Sequence, residues 1–141
     1  MYKRQLCAVV LLAVPKTRKT GYAAVLSLIF GVIVTNLLLK NIVARPRPFA
    51  EIEALIPLIA KPTDFSFPSG HTTASFAVAL VMLRMLPKKI GIPAVVLAAL
   101  VAFSRLYLGV HYPTDVLAGF VVALVGSSLA VWGVRTKLGN Q

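Results

Sequence analysis

Long apolar runs, interrupted by short basic or proline-rich breaks, set the pattern of this chain. Leu6 to Val14 is an apolar run closed by Pro15. It is shorter than the about 20 residues a spanning helix needs, so it reads as the end of a span or a short interfacial piece. Gly21 to Leu39 is the first full span, with Ser27, Thr35 and Asn36 as its polar interruptions and Lys40 closing it. Two X-Pro steps follow, Arg45-Pro46 and Arg47-Pro48, and each disfavours helix at the residue before the proline. Residues 48–67 read as a connector carrying Glu51, Glu53, Lys61 and Asp64, with a short helix expected around Glu51 to Ile56. Pro68-Ser69-Gly70-His71 opens the next apolar segment, Thr72 to Leu86. Lys88 and Lys89 turn the chain, and Gly91 and Pro93 restart it for a third span, Ile92 to Leu108. Val116 to Val134 is the fourth. The pattern predicts an all-α, polytopic transmembrane helix bundle, with four clear spans and a truncated helix at the N-terminus. Residues 1–141 form a single membrane-embedded domain in this reading.

Composition agrees with the pattern. Hydrophobic residues make up 58% of the 141 and charged residues 13%, against about 45–50% and about 25% in soluble domains. A net charge of +11 raises nucleic acid as a partner. The cations, however, sit in short clusters between apolar runs, with no basic helix or RNA-binding aromatic motif, so the charge reads as topology and affinity for anionic headgroups. The single Cys7 has no intrachain disulfide partner. Lys16, Arg18, Lys19, Arg84, Lys88, Lys89, Arg135 and Lys137 fall on one side of the predicted bundle. All four acids (Glu51, Glu53, Asp64 and Asp115) fall on the other, with Lys40, Arg47, His71, Arg105 and His111. The acid-free basic side is cytoplasmic by the positive-inside tendency, which places the connector and the ionisable cluster outside the cell membrane.

Three junctions on that outer side carry the candidate chemistry. Lys40 and Arg47, seven apart, suit neutralisation of a phosphate dianion, the Lys as a compact charge and the Arg as a two-pronged donor. Taken alone, both also fit interfacial anchors that snorkel to headgroups. Ser69, Gly70 and His71 stand at a helix start, where exposed amides and the dipole favour anions. There the Ser69 hydroxyl can donate to a phosphate oxygen, Gly70 allows close backbone approach, and His71 can protonate a departing oxygen. In the third, His111 and Asp115 are four apart across Pro113. The carboxylate can fix the imidazole's tautomer and leave its other nitrogen free to attack or to take a proton. Arg105, six residues upstream of His111, adds a third cation. Charge neutralisers, a nucleophile and a general acid are the inventory for phosphoryl transfer without a metal. With no cluster of carboxylates or cysteines, neither metal nor other cofactor is expected.

The three junctions resemble the signature of the type 2 phosphatidic acid phosphatase superfamily, which also includes vanadium haloperoxidases and bacterial acid phosphatases. Its first motif, Lys, six residues, then Arg-Pro, is matched by Lys40, Arg47 and Pro48. Pro68 to His71 match Pro-Ser-Gly-His. Ser104, Arg105, His111 and Asp115 match the third, Ser-Arg, five residues, His, three residues, Asp. The resemblance implies that His111 attacks phosphorus to give a phosphohistidine while Asp115 orients its ring. It also implies that His71 protonates the leaving oxygen and later activates water. Lys40, Arg47, Arg105, the Ser69 hydroxyl and the Gly70 amide would hold the phosphoryl oxygens, with Ser104 in support. Membrane members resemble six-helix bundles, which implies that this chain carries the last four helices, a stub of the second and none of the first.

The expected function is therefore an integral-membrane lipid phosphatase acting at the outer face. Its substrate would be a polyprenyl diphosphate such as undecaprenyl diphosphate, phosphatidylglycerol phosphate or phosphatidic acid. The alternative is a non-catalytic membrane protein that binds anionic headgroups or lines a transport path with the same cations. A headgroup binder, however, needs neither nucleophile nor acid. The oligomeric state is left open by the sequence.

Overall fold

The computed structural model describes residues 3–138, and every regular element among them is helical. Helix α1 spans Lys3–Ala13, and a 3-10 turn at Pro15–Thr17 leads into α2, Arg18–Val32. The chain continues without a break through a π-helical stretch, Ile33–Leu39, into the short α3, Lys40–Val43. After α4 (Pro48–Glu51) and the connector come α5 (Gly70–Met85), α6 (Lys88–Tyr107) and α7 (Pro113–Leu138).

Helix α5 is the axis of the bundle. It packs against α2, α6 and α7, and Thr72, Thr73 and the run from Ser75 to Val81 are buried. Small residues let its neighbours come close. Ala23, Ala24, Val78, Val81, Ala130, Val131 and Val134 form one buried cluster, with Ala8 of α1 added to it. Nearer the middle of α6, Ala77, Ala98, Ala102 and Ala123 join Phe76, which meets the Phe120 ring edge-on at 4.9 Å between centroids. Large apolar side chains face outward instead, among them Leu97, Leu100 and Phe103 on α6 and Leu117, Leu129 and Trp132 on α7. A core of small residues under an apolar exterior is the arrangement expected where lipid, not water, surrounds the helices.

Among the described residues, three stretches are long and apolar enough to cross a membrane: Pro15–Glu51, Lys88–Tyr107 and Pro113–Lys137. The four clear spans read from the sequence reduce to three by this measure, because α5 has only 16 residues. At 1.5 Å per residue that is about 24 Å, short of a hydrocarbon layer of about 30 Å. The connector precedes α5 and the Leu86–Pro87 turn follows it. The expected connector helix at Glu51 to Ile56 forms earlier, at Pro48–Glu51. Pro48 supplies the preset first-turn φ, and Ile52 turns extended to end the helix. Likewise α6 starts at Lys88, before the Gly91–Pro93 restart, with Pro93 accommodated inside it.

The approach of α7 to the start of α5 depends on Gly119. A Cβ there would stand 2.7 Å from the Ser69 carbonyl oxygen and 3.1 Å from Thr73 Oγ1. Gly119→Ala should therefore force the two helices apart and destabilise the protein by about 1–3 kcal/mol. Thermal unfolding in detergent should show it, with Gly133→Ala, whose Cβ would meet nothing within 4 Å, as the neutral control.

Candidate active site

The three junctions meet at one end of the bundle. Each is shaped by a local device. The π-helical stretch bonds the Lys40 amide to the Thr35 carbonyl, five residues back. That wider turn brings Thr35, Asn36 and Lys40 to the same cavity wall, a familiar use of π-helical turns at functional sites. Ala44 ends α3 in the left-handed conformation, φ 45°, after which residues 45–47 run without regular structure and Arg47, before Pro48 at the head of α4, is extended. Gly109, φ +69°, reverses the chain after α6 in a backbone region that glycine favours. The turn delivers Val110 and His111 to the interior.

Ser69 caps α5. Its Oγ accepts from the Thr72 amide at 3.5 Å and from Thr72 Oγ1 at 3.1 Å. The Ser69 amide donates to the Asp115 carbonyl at 3.0 Å, which ties the start of α5 to the start of α7. Pro113 opens α7, and the Asp115 side chain reaches back to the Tyr112 amide at 2.9 Å, the reciprocal half of a capping box.

A cavity of about 590 Å³ lies where these ends converge, and Lys40, Arg47, Gly70, His71, Arg105 and His111 all line it. Two predicted residues do not. Asp115 is fully buried, beside the His111 ring. Ser69 is also fully buried, and its Oγ serves there as the cap of α5. Arg105 donates through Nε and Nη2 to Ser104 Oγ at 3.2 and 3.1 Å.

The His111 ring is held from both sides. Nδ1 lies 3.4 Å from Asp115 Oδ2, and Ser66 Oγ is 3.5 Å away. Nε2 faces Arg47 Nη1 at 3.5 Å. A guanidinium can only donate and a carboxylate only accept, so the proton belongs on Nδ1 and the lone pair on Nε2. An imidazole in that tautomer can act as nucleophile or base.

Sequence reasoning missed three participants. Arg45, read only as part of an X-Pro step, donates to Asp115 Oδ1 at 2.9 Å and to Thr114 Oγ1 at 2.7 Å, with its guanidinium 3.7 Å from the centre of the Tyr112 ring. Ser66 donates to Asp115 Oδ2. Asp64 pairs with both Lys40 and Arg47, the latter at 2.5 Å, and its backbone carbonyl accepts from Arg47 Nε at 2.8 Å. Burial acts to raise the Asp64 pKa, but hydrogen bonds and charge from Lys40 and Arg47 outweigh it and hold the carboxyl below its usual value. The adjacent Arg-Pro pairs and the Ser beside Pro-Ser-Gly-His were the only sequence signals for Arg45 and Ser66. Among the described residues, no three of His, Cys, Asp and Glu gather as a metal-ligand set.

Fold and site together define a multi-pass membrane protein whose helix ends gather cations and two imidazoles around one cavity. The chain belongs to the PAP2 superfamily, whose family model matches residues 21–138. It is 37% identical over 127 residues to an undecaprenyl-diphosphatase of Sulfolobus acidocaldarius, covering 90% of this chain but 60% of that relative's length. Among solved structures, a transmembrane PAP2-type phosphatidylglycerolphosphate phosphatase from Bacillus subtilis superposes with a TM-score of 0.73 at 30% identity, over 95% of this chain and 68% of that one. Aquifex aeolicus LpxE superposes with a TM-score of 0.82 at 25% identity, over 93% and 77%.

Arg45→Ala should leave the fully buried Asp115 short of its cationic partner and cost about 1–3 kcal/mol of stability. Thermal unfolding is the measurement. Arg45→Lys should recover only part of the loss, because an ammonium cannot copy the planar fork that reaches Thr114 and Asp115 together.

Proposed function

We propose that this protein is an integral-membrane lipid phosphatase that works through a phosphohistidine. The observation that carries the reading is the His111–Asp115 couple. The His111 ring lines a cavity that it shares with three cations and a second histidine. A protein that only held headgroups would gain nothing from burying that couple.

In the first step His111 Nε2 attacks phosphorus, and the bond to the leaving oxygen breaks as His71 gives that oxygen a proton. Lys40, Arg47 and Arg105 hold the non-bridging oxygens with the Gly70 amide, and the charge that develops on them meets fixed donors. Asp115 keeps the His111 ring in its reactive tautomer and stabilises the charge the ring acquires. Water then attacks the phosphohistidine and gives its proton to His71, releasing inorganic phosphate and restoring both histidines.

The apolar exterior favours a substrate carried in the membrane. The names of the relatives support a polyprenyl diphosphate such as undecaprenyl diphosphate, or phosphatidylglycerol phosphate, with phosphatidic acid as the simplest monoester of the same chemistry. The segregation of charge supports an extracytoplasmic site. Arg84 and Arg135 meet at the opposite end of the bundle, while Glu51, Asp64 and Asp115 lie at the site end with Lys40, Arg45 and Arg47. Residues 48–67 are then the extracytoplasmic connector, and α5 is a fourth, shorter crossing shielded by its neighbours.

Protein purified in detergent should release inorganic phosphate from a lipid phosphate in the presence of a chelator. His111→Ala should reduce turnover to background while substrate still binds. His71→Ala should slow it about 10²–10⁴-fold, most for the poorest leaving groups. Full activity in His111→Ala would rule out that residue as nucleophile. A side-by-side panel of the three lipid phosphates identifies the preferred substrate.

A further inference from the structure

The two cations expected to bind phosphate already hold an anion belonging to the protein. Lys40 and Arg47 are 8% and 6% exposed, and buried charges need a partner. That partner is Asp64, whose carboxylate contributes one oxygen to each cation. Its side chain is 55% exposed, and it lines the same cavity as His71 and His111. We propose that Asp64 is a specificity-determining residue: its carboxylate occupies the phosphoryl-oxygen subsite on Lys40 and Arg47 and yields it to phosphomonoester and diphosphate groups but not to phosphodiesters.

The geometry separates the exchangeable side chain from a fixed backbone. The Asp64 carbonyl is held by Arg47 Nε at 2.8 Å, and two residues on, the Ser66 amide donates to the Arg45 carbonyl at 2.9 Å. A side-chain rotation towards solvent therefore frees both cations without lifting the connector. No acid among the described residues pairs with Arg105, which donates to Ser104 Oγ. Lys40, Arg47 and Arg105 thus present three positive charges to the cavity against the single charge of Asp64, since Asp115 is engaged by Arg45.

Charge then decides which ligands win. A phosphodiester carries one negative charge, the same as the carboxylate it would displace, and it competes against a group tethered at high effective concentration. A monoester dianion or a diphosphate brings at least one charge more, which the unpaired Arg105 can use. A bilayer is crowded with phosphodiester headgroups, so a tethered competitor of this kind keeps the site from filling with them.

The inference rests on Lys40 and Arg47 binding phosphate, as in the function proposed above. The test compares wild type with Asp64→Asn and Asp64→Glu in detergent, with phosphatidic acid as the reporter substrate. Inorganic phosphate is one inhibitor and phosphatidylglycerol in mixed micelles the other, so that free phosphate and a headgroup are read separately. Removing the competing charge should lower the inhibition constant of phosphate about tenfold, as expected if the cation pair is released about a tenth of the time in wild type. It should also turn phosphatidylglycerol into an inhibitor, and Asp64→Glu should behave like wild type. Asp64→Ser, smaller and uncharged, serves if Asn disturbs the loop, and should show the same tightening. A carboxylate that merely braces the connector would leave anion affinity equal or weaker in Asn and Ser, and either result overturns the inference. Turnover with equal phosphate inhibition in all variants sinks the role of Asp64 alone. Absence of both turnover and phosphate inhibition sinks the phosphatase reading and this inference with it.

Discussion

The structure depends on one buried carboxylate. Asp115 is wholly enclosed, and an unpaired charge in that position would cost more than the fold can spare. Its partners come from four separate segments of the site. Arg45 reaches it from the stretch after α3, Ser66 from the connector, His111 and the Tyr112 amide from the turn before α7. Its backbone carbonyl takes the Ser69 amide at the head of α5. Segments far apart in sequence are thus brought to one point by the need to satisfy one side chain. The same bonds that solve the burial problem fix the tautomer and direction of the His111 ring.

The cations obey a different constraint. Lys40 and Arg47 are nearly as buried as Asp115, but at the end of the bundle beside a cavity rather than inside the protein. Their positions come from irregular backbone: a π-helical stretch before Lys40, and a proline-flanked stretch without regular structure at Arg47. Regular helix would put residues five apart on different faces. Departures from ideal geometry in this molecule therefore cluster where charges must converge, and the apolar helices behind them stay regular.

Much of this was legible in the sequence, and the reasons are physical. Apolar runs bounded by Lys and Arg marked the helices, because a membrane helix announces itself by length and composition. The spacing across Pro113 identified the His111–Asp115 couple, because both residues lie within one helical turn of a proline-marked start. Lys40, Arg47, Gly70, His71 and Arg105 were found on their motifs and share one cavity. What stayed hidden was the pairing of Asp64 with Lys40, of Arg45 with Asp115 and of Ser66 with His111. Each joins a loop residue to a partner at least 24 positions away, and no local pattern encodes such a contact. The segment Thr72 to Leu86 was counted as a clear span for a related reason: sequence shows that a segment is apolar, but not that protein neighbours cover it.

Two carboxylates thus divide the site between them, and their exposure explains how. Asp115, fully buried, has both carboxylate oxygens committed, so its hold on the His111 ring is fixed. Asp64, more than half exposed, keeps water within reach of its own carboxylate, so in the exchange proposed above an arriving phosphate takes its place on Lys40 and Arg47 while water takes theirs on Asp64. One half of the site is therefore permanent and the other exchangeable. The mechanism proposed above calls for that asymmetry, since its nucleophile must hold still while the charge held by its cations arrives and leaves once per turnover.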